Sequence, residues 1–326
     1  MPGTAPGSGA PDDAGARFRP LVSLFGVIWL LNAAFQFSAW LRPPGGAGGA
    51  RLLHVFSKAV GAAPSWLRPL LAAITGAVSA IGPHWIALAM VAIALLLGLS
   101  LVFGVRLRTA CWAGIVYSAF CWVALCALGY PYAGGQTDPG VFPAYLIAFV
   151  FVLSLTPMLA PRPGAPPAAW PTGTLWAAGR LLFGLLWAFD AALKWLPAFL
   201  AHFLDQLTPA MQGQPAWIAA YIGVIILVVK AVGPMLVAVT IALIETAMAA
   251  SLLAGQWLRF SLPLGFLYSL AVWTSAEGFG GPYSAAGTGV RGNVLGNVLI
   301  YAVIFLFLMV PQGVRPGSTR RAASGA

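Results

Sequence analysis

The sequence predicts an all-α membrane protein of about eight transmembrane helices, arranged as two parallel four-helix repeats, each with an extra interfacial or re-entrant helix. Three observations carry that expectation. Hydrophobic residues make up 60% of the 326 and charged residues only 7%, and mean hydropathy is +0.89; a soluble globule carries roughly a quarter charged residues. Several apolar runs reach the ~20 residues that cross about 30 Å of hydrocarbon, and nothing alternates like a barrel strand. The third observation is a weak internal repeat: Leu24 to Phe37, LFGVIWLLNAAFQF, returns as Leu182 to Trp195, LFGLLWAFDAALKW. An offset of 151 residues then aligns Pro64 to Thr137 without a gap. Tyr117-Ser118 and Trp122 recur as Tyr268-Ser269 and Trp273, and Gly129-Tyr130-Pro131-Tyr132 as Gly280-Gly281-Pro282-Tyr283.

The elements follow in order. Residues 1–20 are Gly, Pro, Ala and Asp with two arginines, and read as a disordered tail without a cleavable signal. Spans are expected at 21–41, 84–105, 109–129 and 141–160, which makes 21–160 the first repeat, with a degenerate polar site. A Pro-rich linker occupies 161–174. The second repeat, 175–311, places spans at 175–198, 235–256, 261–281 and 294–311 and is expected to hold the functional site. A basic tail, 312–326, closes the chain. Stretches 66–81 and 217–232 run straight into Gly-Pro. Their sixteen residues rise only ~24 Å, so interfacial or re-entrant helices suit them better than full spans.

The net charge of +10 does not point to nucleic acid, because the basic residues sit scattered at helix ends. With eight spans, one face collects ten of them, including Arg17, Arg19, Arg106, Arg108 and Arg259. The other receives Arg42, Arg51, Lys58, Arg68, Lys230 and Arg291. That bias places a multi-pass protein in the cytoplasmic (plasma) membrane with both termini cytoplasmic. Cys111, Cys121 and Cys126 lack CxxC spacing and read as small packing residues. His54, His84 and His202 show no metal or haem spacing, so no metal is expected. The thirteen tryptophans read as interfacial belts.

Charge inside a bilayer is expensive and persists mainly where it has a use. The first copy carries Asn32 and Gln36 where the second carries Asp190 and Lys194, one helical turn apart with the acid first. Two readings stay open for that pair: a self-neutralised helix salt bridge, or a proton- or ligand-holding pair facing a polar cavity. Glu245 sits mid-helix where the first copy has Ala94, so the scaffold does not require an acid there. It reads as a proton carrier or as a neutral acid bonded to a neighbouring helix. Glu277 ends a helix, where the macrodipole opposes a carboxylate, so Arg291 or Lys194 is expected to hold it. Arg291 itself reads equally as an anion-binding side chain or a headgroup contact.

Residues Arg180-Leu-Leu-Phe-Gly184, Lys194-Trp195, Gly213-Gln214-Pro215, Glu245, Gly255 through Arg259 and Glu277 through Tyr283 form a pattern, as does Gly134-Gly135-Gln136-Thr137-Asp138-Pro139-Gly140 in the first copy. This pattern resembles the DoxX/DoxD-like integral membrane proteins over most of 20–311, in tandem duplicate. Members are four-span units, and some DoxD-type proteins are the small membrane subunit of a thiosulfate:quinone oxidoreductase. The resemblance therefore implies a membrane subunit in quinone-linked redox chemistry, with a quinone as ligand, no covalent cofactor and a redox partner subunit that supplies the electron-carrying centre. Whether the chain is itself catalytic stays open. A polar pocket is expected from Arg180, Asp190, Lys194 and Glu245, with Glu277, Thr288 and Arg291. The chain departs from the pattern where Gly289, not aspartate, follows Thr288 and where Arg291 replaces a glycine. The first copy keeps Asp138 but lacks the Lys194, Glu245 and Glu277 equivalents, so the parts of one site look divided between the copies. The competing classes are a small-molecule or ion transporter, broken at Gly82-Pro83 and Gly233-Pro234, and a structural assembly factor without chemistry.

Overall fold

The computed structural model describes residues 12–43, 47–130, 138–159, 173–280 and 295–313. Among them every regular element is helical. The first half contains α1 (Asp12–Gln36, running into a π-helical turn at Phe37–Leu41), α2 (Ala47–Ala62), α3 (Arg68–Ile81), α4 (Pro83–Phe103), α5 (Leu107–Ala124) and α6 (Phe142–Leu159). The second contains α7 (Thr174–Lys194), the short α8 (Pro197–Ala201) and α9 (Phe203–Leu207), α10 (Ala216–Val232), α11 (Pro234–Ala254), α12 (Leu258–Ser275) and α13 (Val298–Met309). Among the described residues six helices are long and apolar enough to cross a bilayer: α1 with its π turn, α4, α5, α6, α7 and α11. The chain is thus an all-α membrane protein, as its composition dictates.

Two expected spans fall short of that standard. α12 has 18 residues but its first turns carry Arg259 and Ser261, and the described part of α13 has only 12 residues. The ambiguous stretches are helices of 14 and 17 residues, α3 and α10, which rise about 21 and 26 Å, short of a full crossing. The tail expectation also needs correcting, because helix α1 already begins at Asp12. Packing accounts for it: Phe18 is fully buried and meets Trp176 edge-on at 5.9 Å, and Arg19 donates to the Val102 carbonyl at 3.3 Å.

Local sequence sets the helix junctions. Gly82 and Gly233 take φ of 104° and 109°, a region open to glycine, and a proline begins the next helix at each. Proline suits a first helical turn, where its missing N–H has no intrahelical partner to lose. So α3 turns directly into α4, and α10 into α11. The bounds of α4 and α11, and of α5 and α12, lie 151 residues apart at both ends. Even the unusual backbone matches: Leu128 sits at φ 61°, ψ 27° and Phe279 at φ 59°, ψ 29°.

Helix α1 packs on α4 and α5 on α6; α7 packs on α11 and α12 on α13. The halves meet where α6 touches α7 and α13. Both α6 and α13 are apolar on every side, which suits helices wrapped by others. At their contact Phe151 and Phe307 stack with planes 9° apart and centroids 6.3 Å apart. Large apolar side chains such as Leu96, Val116, Leu227 and Leu236 point outward, as lipid-facing residues do.

Candidate functional site

A residue at every third or fourth position of α7 lands on one face: Phe183, Trp187, Asp190 and Lys194. The first two pack against α13, Phe183 on Phe305 at 4.9 Å and Trp187 on Tyr301 at 5.5 Å, while Trp187 also meets Tyr268 of α12 at 5.8 Å. The first half builds the same cage from Phe25, Trp29, Tyr117, Tyr145 and Phe149, with Phe25 on Phe149 again at 4.9 Å. Trp29, Trp40 and Trp187 are 1–2% exposed. For these three the belt expectation fails, because they are cores of the bundles.

Polar chemistry separates the cages. In the first, the Asn32 amide donates to the Tyr145 hydroxyl at 2.6 Å. Position 190 carries a carboxyl group instead, and the Tyr301 hydroxyl of α13 lies beside it as its hydrogen-bond donor. One turn on, Lys194 Nζ reaches across to Glu245 Oε2 of α11 at 3.6 Å and lies 5.3 Å over the Phe199 ring. Tyr268 donates to Glu245 Oε1 at 2.6 Å. The helix pair expected between Asp190 and Lys194 is thus redirected: the close contact runs between helices, with Asp190 at electrostatic range of the ammonium. A buried pair of this kind gains little stability against the cost of desolvating both partners, which favours a use beyond scaffolding.

Of the two cations expected to hold Glu277, Arg291 lies outside the described residues. Among the described residues its partners are the backbone N–H groups of Asn297, donating to Oε1 at 2.7 Å, and of Val298, donating to Oε2 at 3.1 Å. These belong to the start of α13, where unpaired N–H groups and the positive end of the dipole favour a carboxylate. The Asn297 side chain in turn donates to Asp138 Oδ1 at 3.0 Å, and the Gly140 N–H donates to the same oxygen at 2.7 Å. A carboxylate from the first half therefore enters the second half's site.

Asp138, Asp190, Lys194, Glu245 and Glu277 all line one cavity of about 240 Å³. Its walls are mainly aromatic and aliphatic, including Trp187, Phe199, Phe203, Tyr268 and Tyr301. The volume falls below the ~300–1,000 Å³ of pockets for drug-sized ligands and suits a small ring or headgroup.

Arg180 is not there. It lies ten residues before Asp190, about 15 Å along α7, where its guanidinium donates to the carbonyls of Leu252 and, at 3.3 Å, Leu253. Cations satisfy the last carbonyls of a helix, so Arg180 closes α11 as Arg19 closes α4. Thr288 and Arg291 lie outside the described residues. Sequence reasoning missed Asn297, Tyr268 and Tyr301 as site residues, and raised Asp138 only through the resemblance, as one part of a site divided between the copies. Asp138 and Tyr268 stood inside the quoted motifs, whereas Asn297 and Tyr301 had no signal of their own. The three cysteines are buried. No family model, curated protein or solved structure matches the chain.

Proposed function

We propose that the protein is a tandemly duplicated DoxX/DoxD-like membrane subunit serving quinone-linked redox chemistry of the thiosulfate:quinone oxidoreductase type, with its working site in the second half. The observation that carries the proposal is the meeting of Asp190, Lys194, Glu245, Glu277 and Asp138 on one aromatic-walled cavity. The duplication is supported by helix bounds and backbone angles that recur 151 residues apart, and by the matching aromatic cages. Two parallel repeats would place a pseudo-two-fold axis along the membrane normal, near the Phe151–Phe307 stack. The distribution of arginines favours both termini in the cytoplasm. Lys194 ends α7 and Glu277 follows α12, so the cavity would then lie toward the opposite face.

A bound quinone would supply two-electron carrier chemistry with proton exchange. The residues present fit such a ring. Trp187, Phe199, Phe203 and Tyr268 offer flat apolar walls, Lys194 and Tyr301 offer donors, and Glu245 and Asp190 can hold or release protons. Electrons would come from a partner subunit that docks on the membrane protein. Purification in native lipid tests the proposal: quinone should be retained by the wild type and lost from Asp190→Asn/Lys194→Gln, which rewrites the second half as the first. Wild-type protein that carries no quinone, or a double variant that retains it in full, contradicts the proposal. A transporter would be expected to line its path with the broken helices at Gly82-Pro83 and Gly233-Pro234. Helix α10 contributes no residue to the cavity wall, which favours the quinone reading. A double variant that folds and functions unchanged would favour the assembly factor.

A further inference from the structure

We infer that the exposed row of Arg51, His54 and Lys58 on α2 is a binding site for the phosphate groups of anionic phospholipids. The place of α2 in the fold comes first. A Cβ on Gly48 would run into the Trp40 carbonyl, and one on Gly49 would stand 3.3 Å from Pro83. Helix α2 therefore lies against the π turn that ends α1 and the first turn of α4, two helices long and apolar enough to cross a bilayer. That is the level of the lipid headgroups, at the end of the bundle opposite Asp12, and the exposed Trp66 and Trp85 mark the same level. Leu52, Val55, Phe56 and Ala59 form a stripe along α2 that is buried against the rest of the protein. Arg51, His54 and Lys58, at i, i+3 and i+7, share an outward face and are exposed over about 10 Å.

The first half does not answer this charge. No aspartate or glutamate occurs between Asp13 and Asp138, and among the described residues neither Arg51 nor Lys58 belongs to an ion pair. The scaffold does not require the charge either. After α7, as α2 follows α1, come α8 and α9, which contain no lysine or arginine, and there His202 pairs with Asp205 at 3.2 Å. A helix that lies on a membrane ordinarily sinks its apolar face into the lipid. Helix α2 uses that stripe on the protein, so it offers the bilayer charge and hydrogen-bond donors. The Arg51 guanidinium suits two oxygens of one phosphate, with the Lys58 ammonium as a second positive charge. Helix α3 packs on α2 and leaves Leu70 and Ile81 exposed, which suits acyl chains beside the headgroups and favours a lipid over the acidic surface of a soluble protein. The row lies outside the cavity, and the inference holds whether or not the quinone reading does.

The test titrates full-length protein, stripped of lipid in a non-ionic detergent, with short-chain phosphatidylglycerol, short-chain phosphatidylcholine, glycerol phosphate and a polyglutamate peptide, and reads binding by native mass spectrometry. The wild type should bind phosphatidylglycerol at least about fivefold more tightly than phosphatidylcholine. Arg51→Gln/Lys58→Gln should bring the two lipids within about twofold. Arg106→Gln/Arg108→Gln, which removes two cations from the other end of the bundle, should leave the preference in place, as should the charge-keeping Arg51→Lys/Lys58→Arg. Equal binding of the two lipids by the wild type overturns the inference, as does a preference that survives the loss of Arg51 and Lys58. Glycerol phosphate bound as tightly as phosphatidylglycerol would make this a site for free phosphate. Peptide binding that depends on Arg51 and Lys58, without a lipid preference, would make it a face for an acidic protein; either result overturns the lipid assignment. If the double variant does not fold, Lys58→Gln alone must lower the preference at least about twofold, or the inference falls.

Discussion

Lys194 and Glu245 show how much a side chain's reach decides. Spacing along one helix paired Lys194 with Asp190, but a lysine spans the gap to α11, and there the partner is Glu245 at 3.6 Å. Such geometry is absent from a single helix's sequence; what the sequence did disclose was that both positions are neutral in the first half, as Gln36 and Ala94. If the pair is coupled, Glu245→Ala and Lys194→Gln should each destabilise the protein by ~3–5 kcal/mol, and the double variant by at least about 1 kcal/mol less than their sum. Thermal unfolding in nanodiscs measures this; strict additivity would mean the two act separately. Two backbone N–H groups at the start of α13 hold Glu277, a contact that its place at the end of a helix did not announce. Glu277→Ala should therefore cost ~2–3 kcal/mol by orphaning both donors, with Glu277→Gln costing about half of that. An equal loss in the two variants would show that charge alone matters.

Element by element, the apolar runs and Gly-Pro junctions were legible because composition and proline chemistry act locally. Helix packing was not, since it depends on which faces meet. Gly114 and Gly265 illustrate the difference. They occupy matching places on α5 and α12, and a Cβ on either would run into the ring of Phe149 or Phe305. The glycines set the distance at which α5 meets α6 and α12 meets α13. Gly265→Ala should thus cost ~1–3 kcal/mol through overpacking. Gly61→Ala in α2, where a Cβ meets nothing within 4 Å, should be neutral or stabilising by up to about 1 kcal/mol. Comparable losses at both positions, measured by thermal unfolding, would rule out the packing argument. Tryptophans mislead for a related reason. Trp85 and Trp257 are 64% and 79% exposed while Trp29 and Trp187 are buried, and nothing in the residue type distinguishes them; the aromatic partners on α6 and α13 do.

For the whole molecule, the central matter is that two similar bundles have different interiors. The likeness was readable as an internal repeat, and the difference as neutral residues in one half against ionisable residues in the other. A site divided between the copies was suggested by the resemblance, but Asn297 as the residue that meets Asp138 stayed hidden, because no pattern within either copy predicts that contact. That contact makes one site of parts from both halves, and Asp138→Ala should lower quinone retention although it lies outside the second repeat. Full retention in that variant would separate the halves functionally. The most direct measurement is labelling with a light-activated quinone analogue in native membranes, followed by peptide mapping. Adducts should fall within Trp187–Lys194, Tyr268–Ser275 and Val298–Tyr301 and be suppressed by excess quinone, with the equivalent first-half segment Trp29–Gln36 unlabelled. Equal labelling of Trp29–Gln36, or labelling confined to lipid-facing residues such as Leu264 and Leu267, would contradict the account.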